Sequence, residues 1–286
     1  MRIKLLTVLL PVACIACSAT GSRNNDAERT ECDTECVEEV AEEETDADPR
    51  AEPVPHGVKA LMAAYPDFIT GFDGEKLLFP DGSRLQWDDG RDKDFAAMLD
   101  DTDPQDMFAT AYPSTGETPG YLADPGRGRC EALFKKMYGA SAAAVERNLV
   151  SVDWFGQRLR FMSVNGAADS LRNVAAELRT SPELAKYLKS AGTFYWRKVR
   201  GAQRLSAHSY GIAIDIGTEY SDYWKWHYPR AAETDRIKYL NRMPAEVVEI
   251  FRRHGFIWGG AWYHFDTMHF EFRPELLHGD VSAARK

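Results

Sequence analysis

Hydrophobic positions fall into short, separated runs along this chain. After Arg2 and Lys4 comes the apolar run Leu5 to Ala16, too short to span a bilayer and laid out like a secretory leader. Large apolar residues then thin out until Val58. From there to about Ala144 the pattern is irregular, with many Asp, Pro and Gly residues, including Thr115 to Arg129, which predicts loops and short helices wrapped on a main core. Within it, Leu77-Leu78-Phe79 and Leu85-Gln86-Trp87 flank Pro80-Asp81-Gly82, so Lys76 to Trp87 predicts a hairpin. Strand structure is expected within Val150 to Val164, and a helix through Leu171, Val174, Ala175 and Leu178. Ser181-Pro182-Glu183 predicts a capped helix running through Leu188 and stopped by Gly192. Thr193 to Val199 and Tyr210 to Ile216, rich in aromatic and β-branched residues, read as strands. Pro244 opens a helix with Val247, Ile250 and Phe251 on one side, Gly255 closes it, and Phe256 to Trp258 and Met268 to Phe272 are two short strands. Irregular interleaving of strands and helices, with no internal repeat, favours an α+β domain.

Composition changes this picture mainly at the front. The 286 residues, 44% hydrophobic and 12% aromatic, supply one sizeable core with a small appended subdomain. The net charge of −9 is concentrated between Asn24 and Pro55, where 13 acidic residues face 2 basic ones. Such a stretch buries too little apolar surface to offset its ordering entropy, and like charges extend it, so it reads as a flexible spacer. The expected organisation is a leader over 1–17, an acidic tether over 18–55, an N-terminal subdomain over 56–144 packed on the core, a main domain over 145–278 and a tail over 279–286. No broad basic stripe accompanies Arg252-Arg253, which argues against a nucleic-acid partner. Ile15-Ala16-Cys17 resembles a bacterial lipobox, with Cys14 where Leu is usual. That resemblance implies lipidation of Cys17 and a place in the cell envelope, anchored to a membrane by the lipid or secreted. In an oxidising compartment Cys32 and Cys36 pair with each other, or one pairs with Cys130.

The chemistry-bearing positions are Ser206-Ala207-His208-Ser209-Tyr210-Gly211-Ile212-Ala213-Ile214-Asp215 and, far downstream, Asp266-Thr267-Met268-His269-Phe270-Glu271. His208, Asp215 and His269 form a three-ligand set that leaves zinc's fourth tetrahedral position for water, whose pKa zinc lowers to roughly 7. Asp215 lies in the apolar run Ile212 to Ile216, where a carboxylate is expensive without a partner and a cation provides one. Gly211 lets the chain reverse between His208 and that strand. Asp266, three residues before His269, is placed to take a proton from water and return it to a leaving amine. Glu271 is a candidate to orient a histidine ring. His56, His227, His254, His264 and His278 read as surface or satisfied core residues, and Trp224, Trp226 and Tyr228 as a packed face more than a groove lining.

These residues resemble the zinc D-alanyl-D-alanine carboxypeptidase family, which includes D,D-dipeptidases and phage L-alanyl-D-glutamate endolysins. The pattern S-x-H-x-x-G-x-A-x-D is matched at Ser206, His208, Gly211, Ala213 and Asp215, and the later acid-x-x-His at Asp266 and His269. Trp258-Gly259-Gly260 and Trp262 look like the endolysin-type branch, and the resemblance covers about Val150 to Leu277. It implies a hedgehog/DD-peptidase-like fold, a small antiparallel sheet flanked by helices, holding Zn2+ through His208, Asp215 and His269, with Asp266 as general acid/base. Many relatives carry Glu at that last place. It also implies an Arg ahead of the first His that grips substrate carboxylate or polarises the scissile carbonyl, with Arg197 the leading choice and Arg204 the alternative. Arg204, Ser206 and Trp262 are then substrate-binding. The implied substrates are peptidoglycan stem peptides, trimmed at a terminal D-Ala or cut at L-Ala-D-Glu. A non-catalytic wall-binding module that keeps zinc for folding is the competing expectation.

Overall fold

The computed structural model describes residues 53–277. Cys17, Cys32, Cys36, His278, most of the acidic stretch and the 279–286 tail lie outside the described residues. Helix α1 (His56–Ala64) buries Val58, Ala60 and Leu61. Strands β1 (Gly71–Phe72), β2 (Lys76–Leu78) and β3 (Arg84–Gln86) form a small antiparallel sheet in that order. The hairpin expected over Lys76 to Trp87 is present, with Leu77 opposite Leu85 and the Gly82 amide donating to the Phe79 carbonyl. β1 adds a strand that the sequence pattern did not announce. Short helices follow: α2 (Phe95–Asp100), capped by the Asp94 carboxylate on the Ala97 amide at 2.8 Å, then α3 (Glu131–Tyr138) and α4 (Ala142–Glu146).

Strands β4 (Leu149–Trp154) and β5 (Gln157–Met162) pair as a second hairpin, turning at Phe155 and Gly156. Helix α5 (Ala167–Leu178) buries Leu171, Val174, Ala175 and Leu178, the stripe its sequence spacing predicts. Two expectations need correction. The capped helix after Ser181 is a 3-10 helix over Pro182–Tyr187, and the Ser181 hydroxyl donates to Glu246 instead of accepting from the helix, while Gly192 ends a strand, β6 (Ser190–Gly192). Thr193 to Val199 forms no named strand; its only bridge joins Lys198 to Leu205. Its backbone groups are satisfied otherwise, since the Tyr195 amide donates to the His208 carbonyl and the Arg197 amide to the Ser209 hydroxyl. A helical turn and a side chain serve its first half, and only 197–199 pair with 204–206, too short a ladder for a strand.

Strand β7 (Ala213–Ile216) starts later than expected because Ala207–Tyr210 is a 3-10 turn. Helices α6 (Trp224–His227) and α7 (Ala245–Arg253) and strands β8 (Phe256–Trp258) and β9 (His269–Phe272) complete the chain. The second sheet of consequence is antiparallel in the order β6-β7-β9-β8. The described residues thus make a mixed α+β fold of small antiparallel sheets and several helices. Val58, Leu61, Leu133 and Phe134 from the front share one apolar core with Phe161, Leu171, Phe251 and Phe270. Phe251 and Phe270 stack at 4.0 Å between ring centroids, locking α7 onto β9.

Candidate metal centre

The pairing of β7 with β9 builds most of this site. Asp215 lies opposite His269, Ile214 opposite Phe270 and Ala213 opposite Glu271. Side chains alternate across a strand, so Asp215, His269, Ala213 and Glu271 share one face while Ile214, Ile216, Phe270 and Phe272 fill the core on the other. The apolar run around Asp215 is therefore what delivers its carboxylate to the opposite face. His208 arrives from the turn before β7, which Gly211 reverses at φ 68°. A Cβ on Gly211 would stand 2.5 Å from the Leu149 side chain, so the position needs glycine for space as well as for backbone conformation.

His208 Nε2 lies 3.3 Å from His269 Nδ1, and Asp215 Oδ1 lies 2.8 Å from His269 Nδ1 and 3.2 Å from His208 Nε2. The outward ring nitrogens are occupied: His208 Nδ1 meets the Thr193 carbonyl at 2.8 Å, and His269 Nε2 meets Glu271 at 2.9 Å. Both outer partners are acceptors, which assigns the outward nitrogens as N–H donors and points the two lone pairs inward beside a carboxylate oxygen. Three electron-rich atoms at such distances require a shared cation or a trapped proton. Without a cation, burial pulls the His269 pKa down, but hydrogen bonds donated to Asp215 and Glu271 outweigh it and push it up to about 10. Burial likewise acts against ionised Asp215, yet His208 and His269 hold its carboxyl well below the usual range. Two imidazole nitrogens, each ring with its outer partner in place, and one carboxylate oxygen fit zinc in an open site. The acidic group Asp88, Asp89 and Asp103 is different: Lys93 pairs with Asp89 at 3.0 Å and Asp103 at 2.9 Å, which compensates the charge already.

The His-Asp-His group opens on a cleft of about 350 Å³. Asp266 lines it, and its buried Oδ1 has no hydrogen-bond partner. Burial is the main reason that the carboxyl is pushed up to about 7, with His269 opposing and Asp215 adding to the rise. It is an acid able to hold or release a proton near neutrality. Arg197, Arg204, Ser206 and Trp262 also line the cleft. The Arg197 side chain is exposed, whereas Arg204 is buried and paired with Asp100, its Nε lacking a partner. Burial, then the charge of Arg127, disfavours the cationic form of Arg204. Ser206 is buried, and Trp262 packs its ring 5.7 Å from His269 while donating Nε1–H to the Pro125 carbonyl.

His264 is buried, bonded to Asp124 at 2.6 Å and to the Glu233 carbonyl, and also reaches the cleft wall; His227 bonds Asp222 at 3.1 Å. Trp224 and Trp226 line the cleft from α6, the first buried and the second 53% exposed, whereas Tyr228 is not among the lining residues. Glu271 occupies the ring-orienting position anticipated for it. Several cleft residues escaped sequence reasoning, Val199, Arg200 and Tyr223 among them. Arg127 and Arg129 reach the cleft from the Thr115 to Arg129 loop, where isolated basic residues carry no local signal. Arg127 pairs with Asp124 and Glu233, and Arg129 with Glu271. Among the described residues Cys130 is a buried thiol with no disulfide partner; Cys32 and Cys36, the partners expected for it, lie outside them.

Residues 200–272 match a family model described as D-alanyl-D-alanine carboxypeptidase. The matched span contains His208, Asp215, Asp266 and His269 and leaves out Arg127, Arg129 and Arg197. No match was found among curated proteins or among solved structures.

Proposed function

From the likeness of residues 200–272 to D-alanyl-D-alanine carboxypeptidases, we propose that the protein is a zinc-dependent peptidase that trims the free end of peptidoglycan stem peptides. One observation carries the reading: His208, Asp215 and His269 turn their free ligand atoms to one point, at the edge of a cleft in which Asp266 holds an unpartnered carboxylate oxygen. A purely structural metal site has no use for such an acid. His208, Asp215 and His269 hold the zinc, which supplies Lewis acidity that polarises a carbonyl and brings the pKa of water to roughly 7. Asp266 Oδ1 accepts a proton from the attacking water and hands it to the departing amine, a task suited to an unpartnered carboxylate oxygen on the cleft. Thr193 and Glu271 keep the two imidazoles in the tautomer that leaves the inner nitrogens free. Arg197 and Arg204 bind the substrate carboxylate, and the unpartnered Arg204 Nε supports that role. A cationic wall favours a substrate with a free C-terminus over an internal L-Ala-D-Glu bond. The leader-like start and Cys17 support a location in the cell envelope, where such peptides are found.

The test is digestion of defined muropeptides by the purified full chain, with and without a zinc chelator, read by mass spectrometry. The expected product has lost one terminal alanine, and chelation abolishes it. Fragments separated between L-Ala and D-Glu would reassign the bond, and products that persist under chelation would remove zinc catalysis.

A further inference from the structure

The Glu271 carboxylate is completely buried, with 0% exposure, yet it is the acceptor for His269 Nε2. A buried carboxylate needs a compensating charge and a fixed orientation, or it neither stays in place nor holds its neighbour. Arg129, itself only 7% exposed, supplies both as a fork: its Nε donates to Glu271 Oε2 at 2.9 Å and its Nη2 to Oε1. The other nearby guanidinium, Arg273, adds charge beside Glu271 but no hydrogen bond to it. Arg273 Nη1 stands 3.6 Å from Glu271 Oε2, beyond hydrogen-bond reach, and donates to the Gly126 carbonyl, while Arg273 Nε serves Glu275. Glu275 in turn accepts from the hydroxyl of Tyr65, the residue just after α1.

The loop that carries Arg129 is tied to the connection between β8 and β9 and to the residue after β9. The Tyr263 amide donates to the Ala123 carbonyl, the His264 amide to Asp124, Trp262 Nε1 to the Pro125 carbonyl and Arg273 to the Gly126 carbonyl. Gly126 lies at φ +79°, and a Cβ there would meet Leu276 at 2.6 Å. The chain passes this point closely and in one conformation, so Arg129 is presented at a set place.

We infer that Arg129 is a positioning residue for the metal centre: its fork fixes Glu271, and Glu271 fixes the His269 ring with Nδ1 turned toward His208 and Asp215. This rests on the proposal that His208, Asp215 and His269 hold a metal. It extends the working site to a residue outside the span matched by the family model, and gives the front half of the chain a part in metal binding. Arg129 touches neither the cluster nor a substrate in this role and acts through Glu271 alone.

Metal affinity tests it directly. The full chain is stripped with chelator, then titrated with zinc against a chromophoric competitor, and cobalt is loaded in parallel for its visible spectrum. Arg129→Met should bind zinc about 10- to 100-fold more weakly than wild type, the range for loss of a partner that orients a ligand, with an altered cobalt spectrum. Arg129→Lys, which keeps charge but lacks the fork, should fall between. In a Glu271→Gln background, adding Arg129→Met should change affinity by less than about threefold, because the two act in series. A folded Arg129→Met with wild-type affinity and cobalt spectrum overturns the inference, as do losses that simply multiply in the double variant. Should Arg129→Met fail to fold by circular dichroism, Arg129→Lys decides on the same readouts. A wild-type chain that takes up no zinc defeats the metal reading itself, an outcome separate from the behaviour of the variants.

Discussion

Replacing Asp266 by Asn removes an ionisable group from the cleft while keeping its size, and the consequences differ between metal-free and metal-loaded protein. In the metal-free fold the carboxyl moves from its ordinary 3.8 up to about 7, chiefly through burial. A carboxyl whose folded value is raised contributes its full share of stability below the unfolded value, and that share is lost as pH climbs through the folded one. The window is therefore about pH 4 to 7. At roughly 1.4 kcal/mol per pH unit the loss has an upper bound of about 4 kcal/mol. Asp266 as a residue is partly exposed although its Oδ1 is not, so solvent screening reduces this to about 2 kcal/mol. Asp266→Asn should match wild type near pH 4 and exceed it by about 2 kcal/mol at pH 8, or roughly 4–8 °C in Tm for a domain of this size. Thermal unfolding of chelator-treated protein across pH 4 to 8 reads this out. With zinc added, the cation favours ionised Asp266 and the gap should narrow, while peptide hydrolysis by the variant falls about 100- to 10,000-fold. Metal-free curves that stay parallel across the whole range would refute the burial argument.

Two further outcomes follow from positions fixed by packing. Gly211→Ala forces a side chain onto a backbone at φ +68° and against Leu149, so it should lower stability by about 1–3 kcal/mol and weaken zinc binding together, measured by urea unfolding and metal titration. Cys130 is 4% exposed, and burial pushes its thiol up to about 11; alkylation at pH 8, mapped to this residue by peptide mass spectrometry, should be at least about 100-fold slower in the folded chain than in urea.

Periodicity in the sequence was most informative where an element buries one face against the core. The stripe Leu171, Val174, Ala175 and Leu178 marks α5, and the two turn-flanked apolar runs mark the 76–87 hairpin, because burial alone decides those positions. Likewise, alternation around Ile214 and Phe270 makes the shared face of Asp215 and His269 readable once the two strands are paired. Thr193 to Val199 misled for a physical reason: β-branched and aromatic content states what a strand prefers, not whether a neighbour exists to pair with it. Here residues 195–197 face a 3-10 turn that offers a carbonyl and a serine hydroxyl, and only 197–199 find a short partner in 204–206. Ser181-Pro182 similarly announces a helix start but not which kind of helix follows. Arg127 and Arg129 were invisible because a lone arginine in an irregular loop has meaning only through the acid it meets, and Glu271 lies 142 positions away from Arg129.

The hydrogen bonds that sew residues 123–126 to residues 262–273 bear on any attempt to excise or transplant this chemistry. A fragment trimmed to residues 200–272, the stretch that matches the family model, would carry His208, Asp215 and His269 yet forfeit the guanidinium fork behind one of them. The portable unit spans distant strips, and the downstream one grafted alone would arrive without its scaffolding.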